Sequence, residues 1–153
     1  MDIKSGNTYP SCALSNFASH PFVLDGVECA SAEGWLQSLK FDKPHIQVEV
    51  CKLSGYVAKL RGRARTKHWQ RVQKLWWQGV EYDRHGDAYQ ELLDRAYEAL
   101  AQNDGFRRAL LATNNAVLRH SMGRSNASET ILTTTEFTSR LTKIRERLKN
   151  GNL

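Results

Sequence analysis

The most informative part of this chain is the stretch SAEGWLQSLKF, which runs from Ser31 to Phe41. At helical spacing its apolar side chains form one stripe, which predicts a helix packed against a core. Glu33, Gln37 and Lys40 fall at i, i+4 and i+7 on another stripe. An acid, an amide and an amine on a rigid element predict a small polar pocket. The structural alternative is a solvated face that follows a good N-cap, Ser31, with Glu33 favouring the helix dipole.

Length and composition limit the class of protein. The chain has 153 residues, of which 41% are hydrophobic and 25% charged, so we expect one domain, 1–153, with a sizeable core. No apolar run approaches a membrane span, and the N-terminus lacks the layout of a secretion signal. Three widely spaced cysteines argue against a disulfide framework, and no Cys or His pair has metal-ligand spacing. We therefore expect a cytoplasmic protein with no metal, no cofactor and no membrane partner; the oligomeric state stays open.

The net charge of +6 is unevenly distributed along the chain. Residues 51–80 contain no acid, and the segment 52–74 is strongly basic: Lys52, Lys59, Arg61, Arg63, Arg65, Lys67, Arg71 and Lys74. Such a segment attracts phosphate or other anions, although a solvated basic face is the usual reason for a charge run. Trp69, Trp76 and Trp77 lie among these cations, which is typical of single-strand nucleic-acid binding. We consider Trp69 a candidate for the site, with core packing as the alternative, and expect a core role for Trp76 or Trp77.

Helix dominates the predicted secondary structure, with a small β portion near the start. An Asp-Gly pair between apolar residues predicts a hairpin within 21–29. The periodicity and the stop signals predict helices at 31–41, 44–53, 54–62, 66–78, 87–102, 104–113 and 134–149. The Ile and Val content of 44–53 leaves a strand open there. Thr133 and Glu136 predict a capping box before the last helix, and the tail 149–153 is expected to fray.

The N-terminal block carries several short motifs in a fixed order. They are Leu14-Ser15-Asn16-Phe17, Pro21-Phe22, Leu24-Asp25-Gly26 and then Glu33, Gln37, Lys40 and Phe41. In this order they resemble the NADAR family, also called YbiA-like. Weaker similarities follow at 58–63, 69, 110–113 and 141–148, so the resemblance spans roughly residues 9–148. It implies a compact, predominantly helical α+β domain with a small N-terminal hairpin or sheet.

The same resemblance implies N-glycosidase activity, in which a bond between a ribose anomeric carbon and a nitrogen is hydrolysed. The implied substrates carry phosphate and are either phosphoribosylamino-pyrimidines or ADP-ribosylated guanine, free or in nucleic acid. Two departures indicate a divergent branch. Gly34 stands in place of the usual His, and the stretch 120–126 replaces a segment that contains an Asp. His120, Arg124, Asn126 and Glu136 are candidates to take over that role, although for His120 capping or core packing is favoured.

The chemistry of ribosyl C–N cleavage fits the polar stripe. A carboxylate stabilises the oxocarbenium-like transition state or activates water, and Glu33 is the candidate. Lys40 is a candidate nucleophile through a Schiff base, provided that burial or a nearby cation lowers its pKa. The candidate substrate-binding residues are Asn16, Phe17 and Gln37 for the ribose and base, Lys59, Arg61 and Arg63 for phosphate, and Trp69.

A second hypothesis comes from a different functional class. The fold is retained without catalysis, and the basic segment 52–74 recognises a nucleotide or a nucleic acid. A cleft that contains Glu33, Lys40 and Arg63 together would favour the enzyme.

Overall fold

Helix α2 (Ala32–Ser38) begins at the predicted N-cap. Ser31 Oγ accepts a hydrogen bond from the Gly34 backbone N at 3.2 Å, which satisfies one of the donors that a helix start leaves free. The apolar stripe of α2 is buried, and it belongs to one continuous core cluster that also contains the inner faces of the helices near the C-terminus. The helix is buried on its polar side as well, which the sequence alone does not require.

The computed structural model describes all residues, 1–153, and contains eight helices and two two-stranded sheets. In chain order the other elements are α1 (Ser11–Leu14), β1 (Phe22–Leu24), β2 (Val27–Cys29), α3 (Pro44–Cys51), α4 (Gly55–Arg63), α5 (Thr66–Val72), β3 (Lys74–Trp77), β4 (Val80–Asp83), α6 (Asp87–Leu100), α7 (Asp104–Ala112) and α8 (Thr134–Lys149). The strands pair β1 with β2 and β3 with β4, both antiparallel. The predicted α+β class, mostly helical with a small N-terminal hairpin, is therefore confirmed. None of the helices combines the length and apolar character that a membrane crossing requires.

One predicted helix is wrong in its second half. The segment 66–78 is helical only to Val72, because Gln73 adopts a left-handed backbone with φ of 54°. Strand β3 then pairs with β4 across Gln78-Gly79, where both residues have positive φ. Such a two-residue turn matches the twist of a hairpin, and Gly79, which the helix prediction takes as a stop signal, is one of its two turn residues.

The N-terminal segment is tied to the chain near residue 120. Asp2 and Arg119 form a parallel β-bridge, in which Ile3 N donates to Arg119 O and Arg119 N donates to Met1 O, each at 2.8 Å. Ile3 is fully buried, which anchors the pairing in the core. This contact joins residues 117 apart in sequence, and the adjoining residues Ile3 and His120 line the cleft described below.

Candidate functional site

A cleft of about 330 Å³ lies between α2 and the loop that precedes α8. A volume of this size is at the lower end of typical small-ligand pockets. One wall comes from α2, α4 and the loop before β1, and the other comes from the N-terminal segment and the loops near residues 120 and 130. The polar lining side chains are Lys4, Ser5, Ser15, Asn16, Glu33, Gln37, Lys59, His120, Arg124 and Thr130.

Glu33 is the acid of this cleft. Its side chain is only 9% exposed, and Oε1 accepts a hydrogen bond from Gln37 Nε2 at 2.8 Å. Its backbone N donates to Asn16 O at 2.9 Å, which fixes the neighbouring loop against the start of α2. Burial raises the pKa of Glu33 above its ordinary value, while Gln37 and the more distant charges of Lys40, Lys59 and His120 act in the opposite direction. A carboxyl with a raised pKa accepts a proton more readily than an exposed one, as a general base requires.

Gln37 holds Glu33 and presents an unsatisfied oxygen. A carboxylate only accepts hydrogen bonds, so the amide directs Nε2 to Glu33 and Oε1 away from it. Oε1 is buried and has no hydrogen-bond partner in the chain. It lies over Gly62 of α4, where an added Cβ would come within 1.8 Å of it. Glycine at 62 therefore makes room for this amide, and Oε1 is enclosed against α4, where no ligand in the cleft contacts it.

Gly34 has a packing role that accounts for the absence of histidine at this position. A Cβ at 34 would lie 2.2 Å from Leu53 O and 3.2 Å from Val50 O. The glycine therefore lets α2 pack directly against the backbone between α3 and α4. In this chain the residue after Glu33 supports the helix contact, and no side chain from position 34 enters the cleft.

Lys40 is buried beside the site but does not line the cleft. It is 7% exposed, and Nζ donates to Thr66 Oγ1 at 3.1 Å. Burial lowers the pKa of Lys40 to about 8; Lys59 and Arg63 lower it further and Glu33 opposes them. The lowered pKa meets the condition for a nucleophile. The position of Lys40 outside the cleft lining does not suit direct attack on the sugar. The predicted role of Lys40 is therefore corrected: it is a buried cation next to the Glu33–Gln37 pair.

The loop before β1 contributes Asn16 and Phe17, and both line the cleft. Asn16 Oδ1 accepts a hydrogen bond from Tyr97 Oη of α6 at 2.7 Å, so its amide is fixed by the core. Its Nδ2 consequently faces away from Tyr97 and is available as a donor. Phe17 adds an aromatic ring to the same wall. The structure thus brings Asn16, Phe17, Glu33 and Gln37 together, as the N-terminal motifs predict.

The predicted phosphate-binding residues separate in the structure. Lys59 lines the cleft, but Arg61 stacks over the Phe41 ring at 4.6 Å, and Arg63 does not line the cleft either. The expected cleft with Glu33, Lys40 and Arg63 together is therefore not formed, because only Glu33 of the three is in the lining. The cleft instead receives cations from two distant segments, Lys4 and Arg124. Lys4 was missed because no local signal connects the N-terminus with α2.

Trp69 requires a correction. It is 1% exposed and belongs to the core cluster, so no face of its ring is free to stack on a ligand. Trp77 is buried in the same cluster, and Trp76 is half-buried against His68. The alternation of aromatic and basic residues reflects β3 and the inner face of α5, and core packing is the correct interpretation of this pattern.

Four residues are candidates to take over the role of the Asp that the resemblance leads one to expect. Two of them line the cleft and two do not. His120 and Arg124 are lining residues, whereas Asn126 Oδ1 accepts a bond from Ser128 N in a surface turn. Glu136 accepts hydrogen bonds from Arg84 and closes the predicted capping box with Thr133. No group of three or more His, Cys, Asp or Glu side chains is placed to hold a metal ion.

The architecture is that of a known fold class, the YbiA-like fold. The NMR structure of the E. coli protein YbiA matches the chain with a TM-score of 0.62 at 21% identity, covering 97% of this chain and 83% of that one. By sequence, residues 8–146 match the family described as Bacteriophage protein GP30.3, and the chain belongs to that family. An uncharacterized 17.1 kDa protein in the Gp30–rIII intergenic region of Enterobacteria phage T4 is 41% identical over 150 residues, 97% of this chain and 98% of that protein. The resemblance drawn from the motifs is therefore confirmed for the fold, and the family is the phage one.

Proposed function

We propose that this protein is an N-glycosidase that hydrolyses the bond between a ribose C1′ and a nitrogen in a phosphate-bearing ribosyl or ADP-ribosyl compound. The observation that carries the proposal is the placement of Glu33: a buried carboxyl with a raised pKa, held by Gln37, in a cleft that also contains cations. The YbiA-like fold agrees with this class of activity. The implied substrates are ADP-ribosylated guanine, free or in nucleic acid, and phosphoribosylamino-pyrimidines.

Each part of such a substrate has a counterpart in the cleft. Positive charge develops on the ribose as the C1′–N bond breaks, and the Glu33 carboxylate stabilises that charge or takes a proton from the attacking water. Asn16 Nδ2 donates a hydrogen bond to a ribose hydroxyl oxygen, and Phe17 packs against the base. Lys4, Lys59 and Arg124 offer charge-assisted hydrogen bonds to phosphate oxygens.

The test is a direct assay for release of the base. Purified protein is incubated with ADP-ribosylated guanosine, ADP-ribosylated single-stranded DNA and phosphoribosylamino-pyrimidine, and products are separated by chromatography. We expect one of these classes to be hydrolysed, and Glu33→Gln to lower kcat by ~10²-fold or more. Glu28→Gln is the matched control, because Glu28 is an exposed glutamate on β2. No release from any substrate, or unchanged turnover in Glu33→Gln, contradicts the proposal.

A second candidate function is nucleic-acid binding by the basic segment 52–74, and a specific observation favours it. The outer face of α4 exposes Tyr56, Val57 and Leu60 among the exposed cations of this segment. Exposed aromatic and basic side chains suit the stacked bases and phosphates of a single strand. Binding without turnover, with log affinity falling steeply against log salt, would support this candidate; a nucleotide held in the cleft has fewer phosphates and a shallower slope.

A further inference from the structure

We infer that His120 is the proton donor to the leaving nitrogen, acting across the cleft from Glu33. The inference rests on the proposed N-glycosidase function and adds the acid that such a reaction needs. Amines and ring nitrogens are poor leaving groups, so cleavage of a C–N bond is assisted when a positioned acid protonates the nitrogen. Glu33 cannot serve on both sides of the sugar. The other titratable side chains of the lining are Lys4, Lys59 and His120, and histidine is the residue type that most often acts as a general acid.

The hydrogen bonding of His120 determines which nitrogen is free. Nδ1 lies 2.9 Å from Ile3 O. A carbonyl oxygen only accepts, so Nδ1 carries the hydrogen, and Nε2 is the nitrogen that gains and loses a proton. Nε2 has no hydrogen-bond partner within the chain, and it is not among the buried unsatisfied atoms.

The ring is held in place from three sides. It packs edge-on against Phe137 of α8, with centroids 5.2 Å apart. The β-bridge between Asp2 and Arg119 fixes the adjacent backbone. Gly123 leaves space beside the ring, because a Cβ there would lie 2.6 Å from His120 Cδ2. A merely structural histidine does not require a free Nε2 at a cleft wall; a proton donor does.

The charged side chains that line the cleft with His120 come from four segments. Glu33 lies on α2, Lys59 on α4, Lys4 on the N-terminal segment and Arg124 on the same loop as His120. The packed residues of α8, Phe137 and Thr134, are uncharged, and Asp2 accepts hydrogen bonds from Ser121. Among these charges Glu33 is the acid, and it lies on a different segment from His120.

The proton balance of the step is complete. The imidazolium gives its Nε2 proton to the leaving nitrogen, which keeps the electron pair of the broken C1′–N bond. A water oxygen bonds to C1′ and its proton passes to Glu33. Exchange with solvent then returns a proton to His120 and frees Glu33. The sum is addition of one water molecule across the C–N bond.

The experiment compares two leaving groups in the full-length protein. His120→Asn keeps an N–H for Ile3 O but has no group at the Nε2 position. On the N-linked substrate we expect kcat to fall by ~10²-fold or more. On the O-linked 4-nitrophenyl riboside phosphate, whose leaving group needs no proton, the decrease should be within about tenfold.

The outcomes separate the two proposals. If His120→Asn lowers kcat equally on both substrates, or on neither, the role of His120 is overturned. Turnover by the wild-type protein in the same assay still supports the N-glycosidase proposal. Absence of wild-type turnover overturns both. A measurement on the unmutated protein tests the assignment even if the variant misfolds. Nitrogen-15 NMR should show neutral His120 protonated at Nδ1, and protonation at Nε2 instead would contradict the assignment.

Discussion

Glu33 in the cleft and Glu136 at the start of α8 are both largely withdrawn from solvent, yet their surroundings differ. Glu136 accepts hydrogen bonds from Arg84 Nη1 and Nη2 at 3.1 and 2.7 Å, from Gln90 Nε2 at 2.7 Å and from Thr133 N at 2.7 Å. Glu33 accepts one, from the neutral amide of Gln37. Burial opposes ionisation of both, but at Glu136 the donors outweigh it and the pKa is lowered. At Glu33 burial dominates and the pKa is raised.

The difference separates a buried acid that is committed to the fold from one that keeps an oxygen free, as the catalytic role proposed for Glu33 requires. A carboxylate with a bidentate arginine partner and a capping role has its lone pairs committed to the fold. A carboxyl with one neutral donor, facing a cleft, keeps an oxygen for water or substrate. Perturbed pKa values occur at both kinds of site, so the direction of the shift and the open lone pair distinguish them.

The largest expected effect is the loss of stability when the Glu136 side chain is removed. Glu136→Ala leaves Arg84, which is 1% exposed, as an unpaired buried charge. We expect the free energy of unfolding to fall by about 3–5 kcal/mol, as measured by urea denaturation. Glu98→Ala is the control, because its ion pair with Arg147 is about half exposed at both ends and is worth at most about 1 kcal/mol. Equal losses in the two variants would remove the structural role assigned to Glu136.

The next effect concerns the support of Glu33. Gly62→Ala places a methyl group where Gln37 Oε1 lies, so the amide must move and Glu33 loses its donor. We expect a stability loss of about 1–3 kcal/mol from overpacking, together with lower turnover. Gly6→Ala is the control, since no atom lies within 4 Å of the added methyl, and it should change stability by at most about 0.5 kcal/mol. A Gly62→Ala protein with normal stability and turnover would show that Gln37 does not position Glu33.

Glu33→Gln should affect stability with a sign opposite to that of Glu136→Gln. The folded-state pKa of Glu33 lies above its ordinary value of 4.5, so the wild type loses stability as the pH rises from below 4.5 through the folded pKa. Glutamine avoids that cost and should stabilise the protein at neutral pH, with a gain that shrinks in acid. Glu136 has a lowered pKa; its stabilisation is present above 4.5 and is lost as the pH falls through the folded pKa. Urea midpoints across pH measure both, and destabilisation by Glu33→Gln at neutral pH would break the comparison.

The smallest effect is expected at Lys40. Lys40→Met removes a cation that lowers the pKa of Glu33, so the acid limb of kcat/KM should move to higher pH. Lys40→Arg keeps the charge and should leave that limb in place. Because Nζ lies outside the cleft lining, borohydride added during turnover should trap no sugar on Lys40. A trapped adduct at this residue would restore the covalent mechanism.

The sequence predicted the local features of this fold well. The apolar stripe of α6, the hairpin at Asp25-Gly26, the N-cap Ser31 and the Thr133–Glu136 box are all present, because each depends on residues close in sequence. The Glu33–Gln37 contact is of the same kind, four residues apart on one helix.

Features that depend on distant segments were not predictable in this way. His120 is placed by Ile3, which lies 117 residues away, and Trp69 is buried by core packing of several elements. Even close to one helix, sequence spacing did not predict the direction of the Lys40 side chain. It is on the predicted stripe, but α2 ends at Ser38, and its side chain turns to Thr66 and not into the cleft.

The most direct test is a carbon-13 NMR titration of the side-chain carboxyl groups of Glu33 and Glu136 in one sample of the wild-type protein. The account predicts that Glu33 titrates above 4.5 and Glu136 below it, and that Lys40→Met moves Glu33 further upward. A Glu33 that titrates at or below 4.5 would contradict the claim that the cleft holds a carboxyl poised for proton transfer.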